Sequence, residues 1–491
     1  MPWPVLPKDA VQRASVNSFG FGGANSHAIL ESYQAQVDNA SSALVVPATP
    51  FVFSAASNTS LVSSPQAHLD YLKTNPVNMR DFAWTLQQRR SFFSHKIAFS
   101  APDVESLIRK IELRLKEYED KSDANIGVRS SSTPPKVLRI FTGQDAQWPA
   151  MGAKLIRSSE FVRRRLQELD GVLATLPAPD QPIWKIADQL LLDAKSSFQV
   201  VLVDLLRSTG TMPSSVVGHS SGEIGAAYAA NFLNARDAIR IAYYRGFYAK
   251  LAGGSSGHKG AMLAVGTSLK DATEVIELDP FVGRVVVAAH NSPASVTLSA
   301  DADAIVEVKA VFEEEMKFAR LLKVDTAYHS DHVLACGDAY VEALRACKFE
   351  VNRKRDTSVT WFSSVTGGDI MEPTTLLQDL YWRDNMVQRV SFYEAVTAAA
   401  QAEKPTIAIN IGPHAALRGL TQHNIAETGL NLLYAGVMHR GLNDIEALAD
   451  GLGYMWTQFG PEAVDFAAFE RLFLDAPQAK LATGLPSYHW D

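Results

Sequence analysis

Gly218-His219-Ser220-Ser221-Gly222 lies between a short apolar run at 215–218 and a helix-forming stretch from 221 to about 231. A Gly-x-Ser-x-Gly run between strand and helix is a turn too tight for larger side chains at the glycines. It lifts a serine hydroxyl clear of the backbone. The first amides of the following helix point at any oxyanion forming there, so Ser220 is the candidate nucleophile and the N–H of Ser221 a candidate oxyanion donor. The Ser221 hydroxyl is the lesser candidate, because it sits inside the helix start. The turn commits the chain to an α/β arrangement and to a search for the partners of an activated serine.

With 491 residues, the chain is long enough for roughly three domains at about 150 residues each. Hydrophobic residues make up 47% and charged residues 20%, ordinary proportions for a packed core. The net charge of −7 and the absence of a long basic tract argue against nucleic acid as a main partner. No apolar run approaches the ~20 residues needed to cross a bilayer, and the N-terminal stretch lacks the pattern of a signal peptide, so the chain reads as cytoplasmic, with no membrane partner. Cys336 and Cys347 are the two cysteines, too few for a disulfide framework or a cysteine-rich zinc site. In one helix they would stand about 16 Å apart.

Along the chain, residues 1–45 are Gly-rich and apolar but too short to bury a core, and read as a piece of a larger domain. Residues 46–135 read as a small α+β unit ending in a Ser/Pro-rich connector. A large α/β unit begins with the buried strand 137–141. Between 260 and 327 the order becomes β-α-β-β-α-β, the ferredoxin-like pattern, with strands at 261–265, 285–289, 296–298 and 319–324 and helices at 268–277 and 302–316. Strands near 359–364, 406–411 and 431–437 then return to the main sheet. The expected fold class is α/β: an α/β-hydrolase-like large subdomain with an inserted ferredoxin-like small subdomain, preceded by the α+β linker domain.

An activated serine needs a base, usually histidine. His258, His290, His329, His332, His414, His423, His439 and His489 all follow Ser220. His329 lies in a loop after a strand, where sheets present catalytic groups, but spacing alone does not select it. His329 and His332 could form a metal pair, though no third ligand has suitable spacing, and no metal is expected. Gln144, just after the first core strand, is placed to give a second oxyanion N–H. Arg245 interrupts an otherwise apolar and aromatic helix. It must either form a structural ion pair or face a cavity as a clamp for a substrate carboxylate. Gly20–Asn25 is not a dinucleotide loop, since Asn25 holds the third glycine position. Arg163-Arg164-Arg165 and Arg353-Lys354-Arg355 read as solvated faces, although either could meet a CoA phosphate or an acidic carrier.

With these residues in hand, the chain resembles the acyltransferase region of type I polyketide synthases, most like the fungal iterative reducing kind. The likeness rests on Phe141–Trp148, Gly218–Glu223, Tyr243–Gly246, Asn291–Pro293, Ala327–Ser330, Tyr381–Met386, Ile411–His414 and Leu485–Trp490, in the family's order. It implies a ketosynthase C-terminal remnant at 1–45, a ketosynthase-to-acyltransferase linker at 46–135, the acyltransferase at 136–440 and a post-acyltransferase linker at 441–491. Both cysteines fall in the acyltransferase part, so no condensing nucleophile is expected.

The resemblance further implies malonyl transfer from malonyl-CoA to the phosphopantetheine thiol of an acyl carrier protein, with no tightly bound cofactor. The ketosynthase domain of the same synthase is the other implied partner. Ser220 would be acylated with His329 as base, Gln144 and Ser221 would hold the oxyanion, and Arg245 would pair with the malonyl carboxylate. A main-chain carbonyl near Asn410 would orient the histidine, and His219, Asn291 and Tyr328 would line the pocket. Asp145 stands where the family has glycine, and Asn410 where it usually has glutamate. Two other readings remain: an esterase or thioesterase with His414 or His439 as base, and a docking scaffold whose transferase has decayed.

Overall fold

Val137–Phe141 is buried at every position, as expected of a strand flanked on both edges and covered on both faces. In the computed structural model it pairs in parallel with Ser215–Gly218 on one side and Ile407–Ile411 on the other. Thr360–Phe362 and Leu433–Gly436 complete a five-stranded parallel sheet. The structure describes residues 11–20, 22–23, 25–32, 47–120, 125–143, 148–192, 198–252, 259–348, 358–372 and 379–490.

The helix Gly222–Ala229, buried along its whole length, packs against the strand it follows. The carboxyl ends of Val137–Phe141, Ser215–Gly218 and Ile407–Ile411 therefore open on one edge of the sheet, the usual place for a site in such folds. Gln199 links two of these ends, its Nε2 donating to the carbonyls of Thr142 (2.8 Å) and Ile411 (3.1 Å).

The insertion has the expected order. Gly260–Val265, Val285–Ser292, Ser295–Asp301 and Ala319–Leu321 lie in spatial order fourth, first, third, second, all antiparallel. Helices Leu269–Ile276 and Ala302–Glu314 cover them around a core of their own that includes Leu263, Leu298 and Phe312. The last strand is shorter than the sequence suggests. Its register stops at Leu321 on the exposed sheet edge, where the Leu322 N–H still donates to the Met262 carbonyl. After the insertion Val390–Ser391 adds to the other edge, parallel to Val285–Ser292.

Before the main sheet, Thr49–Ala55 and His95–Ala101 form an antiparallel pair with helices Asn58–Thr74, Met79–Gln88 and Val104–Glu119. Val128–Arg129, in the stretch read as a connector, adds a third short strand to this sheet. The helix Asp444–Phe459 lies across it, and the last described residues return to it. There Arg80 pairs with Glu470, the N–H of Lys480 donates to Asp81 and that of Ala482 to Thr85 Oγ1, and Tyr488 donates to the Ser91 carbonyl. At the other end Arg13–Phe19 and Asn25–Glu31 form an antiparallel hairpin that leaves Phe19 and Ile29 exposed. Among the described residues no helix is long and apolar enough to cross a membrane.

Candidate active site

Ser220 stands at the carboxyl end of Ser215–Gly218 with φ +52°, a left-handed conformation that costs free energy in a non-glycine residue. The flanking glycines make the turn possible. A Cβ on Gly218 would lie 2.3 Å from the Glu223 nitrogen, and one on Gly222 2.3 Å from the Phe141 carbonyl oxygen. The Gly222 N–H donates to the His219 carbonyl and the Glu223 N–H to the Ser220 carbonyl. Glu223, fully buried, accepts hydrogen bonds from Trp361 Nε1, from the Ser364 N–H and hydroxyl, and from Tyr381 Oη. Burial raises its carboxyl to about 7 against the opposing effect of those donors.

Of the histidines that spacing could not separate, His329 meets Ser220, its Nε2 2.7 Å from Oγ. His329 occupies the loop between Ala319–Leu321 and the short 3-10 turn Asp331–Val333, with φ +57°. Its Nδ1 lies 2.8 Å from the Gln388 carbonyl oxygen. A carbonyl can only accept, so Nδ1 carries the proton and Nε2 is left to take one from the serine. Burial, and secondarily the Arg245 charge, push this imidazole down to about 3. It is therefore neutral at physiological pH.

Arg245, on helix Ala235–Tyr248, is 2% exposed. Its Nη1 donates to Asn385 Oδ1 at 2.8 Å and its Nη2 to Ser220 Oγ at 3.2 Å. Its buried Nε has no partner, and among the described residues no carboxylate forms an ion pair with it. Desolvation lowers its pKa from the ordinary value. Tyr328 and Tyr340 lie close enough to Arg245 to interact electrostatically. His219 Nε2 is 2.8 Å from Asn291 Oδ1, and Asn291 Nδ2 donates to Thr297. The His219 ring packs edge-on to Phe392.

Asn410 is not where the histidine is held. Its side chain donates to the His414 carbonyl and accepts from Tyr434 Oη within the main sheet, and the carbonyl that meets His329 belongs to Gln388. Sequence reasoning also passed over Asn385, although it lies within the stretch 381–386 singled out as a landmark. Gln144, Asp145, His258 and Arg353-Lys354-Arg355 lie outside the described residues. Gly143, the last described residue before Gln144, abuts the serine turn: a Cβ there would lie 3.0 Å from the His219 carbonyl oxygen.

Several of the other candidates have structural partners. His332 pairs with Asp301 and His290 with Glu394. The rings of His414 and His439 meet edge-on, their centroids 6.1 Å apart. No group of three metal-ligating side chains occurs among the described residues. Arg163 pairs with Glu160 and Arg165 with Glu168 and Asp204, so this basic run is a paired helix face.

Residues 139–457 match the family model of the acyl transferase domain, and residues 1–95 match that of the ketoacyl-synthetase C-terminal extension. The hybrid PKS-NRPS synthetase thnA of Trichoderma harzianum is 50% identical over 522 residues, covering 100% of this chain and 13% of the relative. Fusarielin synthase FSL1 of Gibberella zeae is 44% identical, covering 100% of the chain and 20% of the relative. The chain thus spans about 13% of the length of the first of these relatives. Among solved structures, the acyltransferase domain from module 8 of the salinomycin polyketide synthase superposes with a TM-score of 0.71 at 25% identity, covering 86% of this chain and 98% of that one. The acyl transferase domain of ZmaA gives 0.71 at 20% identity, covering 90% and 99%.

Proposed function

Because the chain belongs to the acyl transferase domain family of polyketide synthases, we propose that it loads a malonyl extender unit from malonyl-CoA onto the phosphopantetheine thiol of an acyl carrier protein. The observation that carries this reading is one run of hydrogen bonds: the Gln388 carbonyl to His329, His329 to Ser220 Oγ, and Oγ to Arg245.

In this reading Ser220 Oγ attacks the thioester carbonyl carbon as its proton passes to His329 Nε2. The tetrahedral intermediate collapses, the C–S bond breaks, and the coenzyme A sulfur leaves with the proton from His329. The Ser221 N–H at the helix start stabilises the oxyanion, with Gln144 as its partner donor. The carrier thiol then gives its proton to His329, attacks the ester and leaves as the new thioester, returning Ser220 to its resting state. A neutral imidazole with Nε2 free suits both half-reactions. Arg245, a buried cation with no carboxylate paired to it among the described residues, suits an acyl group bearing a free carboxylate.

We assign residues 1–45 to the end of a ketosynthase, 46–135 to the linker domain, 136–440 to the acyltransferase and 441–491 to the following linker. The other partner in this reading is the ketosynthase domain, and the setting is cytoplasmic. An esterase of the α/β-hydrolase kind would use His414 or His439 as base, and neither is the imidazole that meets Ser220.

The test is incubation with radiolabelled malonyl-CoA, followed by denaturing gel and transfer to a phosphopantetheinylated carrier. Wild type should become labelled and pass the label on, and Ser220→Ala should not. An unlabelled wild type would support the decayed-scaffold reading, and label on Ser220→Ala would remove Ser220 as nucleophile.

A further inference from the structure

Helix Asp379–Val387 buries Asp379, Trp382, Asn385 and Met386, spaced to share one face. Tyr381 on the same helix bonds Ser363 and Glu223, which fixes the helix against the segment that carries Ser220. Asn385 is thereby held 3% exposed, with both ends of its amide engaged. Oδ1 accepts from Arg245 Nη1 at 2.8 Å, and Nδ2 donates to the Ser220 carbonyl oxygen at 3.0 Å. Arg245 Nη2 reaches Ser220 Oγ at 3.2 Å. Ser220, Arg245 and Asn385 thus close a ring of hydrogen bonds.

We propose that Asn385 is a positioning residue that holds the Arg245 guanidinium beside Ser220 without neutralising it, and so sets the preference for a carboxylate-bearing acyl group. The inference rests on the reading of Arg245 as the carboxylate clamp. A neutral amide oxygen orients a guanidinium by hydrogen bonding yet leaves its charge for an incoming anion. A carboxylate at the same position would form an ion pair with Arg245 and compete with the substrate. The amide cannot turn over, since that would set its N–H groups against guanidinium donors and its oxygen against the Ser220 carbonyl. The bond to the Ser220 carbonyl also supports the left-handed backbone at that residue.

The experiment uses the full chain and compares Ser220 labelling by malonyl-CoA and by acetyl-CoA in wild type, Asn385→Asp, Arg245→Ala and the double variant. Melting temperatures are recorded alongside. Asn385→Asp should lower malonyl labelling about ten-fold more than acetyl labelling, chiefly through KM. In the Arg245→Ala background the same substitution should leave the malonyl-to-acetyl ratio unchanged. Asn385→Ala, which adds no charge, should slow both acyl groups with a smaller change of ratio, and it serves if the aspartate variant does not fold. Equal losses for both acyl groups in Asn385→Asp, a ratio change that persists without Arg245, or a ratio change in Asn385→Ala as large as that in Asn385→Asp would overturn the role of Asn385. A wild type that takes acetyl but not malonyl would instead remove the clamp reading of Arg245 on which it stands.

Discussion

His329 Nδ1 and the Gln388 carbonyl oxygen are 2.8 Å apart, so a backbone group with no charge holds the imidazole in a single tautomer. Gln388 is well placed to do this, since its own N–H is held by the Asp384 carbonyl and strand Val390–Ser391 begins two residues later. Among the described residues no carboxylate stands behind His329; the Gln388 hydrogen bond raises its basicity, but burial and the nearby guanidinium outweigh it and bring the imidazole down to about 3.

The first prediction concerns pH. In the proposed mechanism the neutral imidazole is the active form, so protonation of His329 should not limit Ser220 acylation anywhere between pH 8 and about 5. A pre-steady-state labelling profile that falls with an apparent pKa near the free histidine value of about 6.5 would contradict this.

Stability should follow the same shift. Below about pH 6.5 the unfolded chain protonates this histidine while the folded chain does not, so stability falls as pH drops toward the folded value. The slope from this group alone is about 1.4 kcal/mol per pH unit at most. Urea unfolding of wild type and His329→Gln at pH 7 and pH 5 should show the wild type losing more on acidification. Equal losses would place the folded pKa near the free value.

Arg245→Ala should reduce malonyl transfer about ten- to a hundred-fold while leaving acetyl transfer nearer to wild type, the scale expected for losing a charge-assisted contact to a carboxylate. Steady-state kcat/KM for the two thioesters measures it directly. If both fell by the same factor, Arg245 would be acting on Ser220 alone, through its 3.2 Å contact with Oγ.

Gly218→Ala and Gly222→Ala should each destabilise the fold by about 2–4 kcal/mol or prevent soluble expression, because each Cβ would be forced against backbone atoms. Chemical denaturation, or the soluble yield, reports the outcome. Normal stability in either variant would mean that the turn has another backbone path.

Glu223→Gln puts an amide N–H among groups that donate to this carboxyl, including Trp361 Nε1 and the Ser364 N–H. At least one buried donor then loses its acceptor, at a cost of about 1–3 kcal/mol. The urea midpoint at pH 8 should fall accordingly, and an unchanged midpoint would show that the site relaxes around the amide.

The parts of this architecture that were legible in the sequence are contiguous ones. The serine turn is a run of five residues whose spacing and flanks define it, and the insertion has an element order that few arrangements satisfy. His329 was one of eight histidines by spacing, because what distinguishes it is a contact across 109 residues of chain. The Gln388 carbonyl had no signature at all, since every residue has a carbonyl and only folding decides which one is aimed at an imidazole. The expectation that this group would lie near Asn410 failed for that reason: Asn410 is in the central sheet, committed to Tyr434 and His414. Asn385 was visible only as one letter of a landmark, and its two-sided role depends on the helix face it shares with Trp382.

The return of residues 470–488 to the unit formed by Thr49–Ala55 and His95–Ala101 has a practical consequence for exchanging the catalytic part between synthases. A transplant cut to residues 139–457 would take most of helix Asp444–Phe459 away from the sheet it lies across, and would leave out both sides of this clasp: Arg80, Asp81, Thr85 and Ser91, and the tail that meets them. The joints that respect this clasp lie outside both strands of contact, so a swap should carry the flanking unit and its returning tail together with the serine it serves.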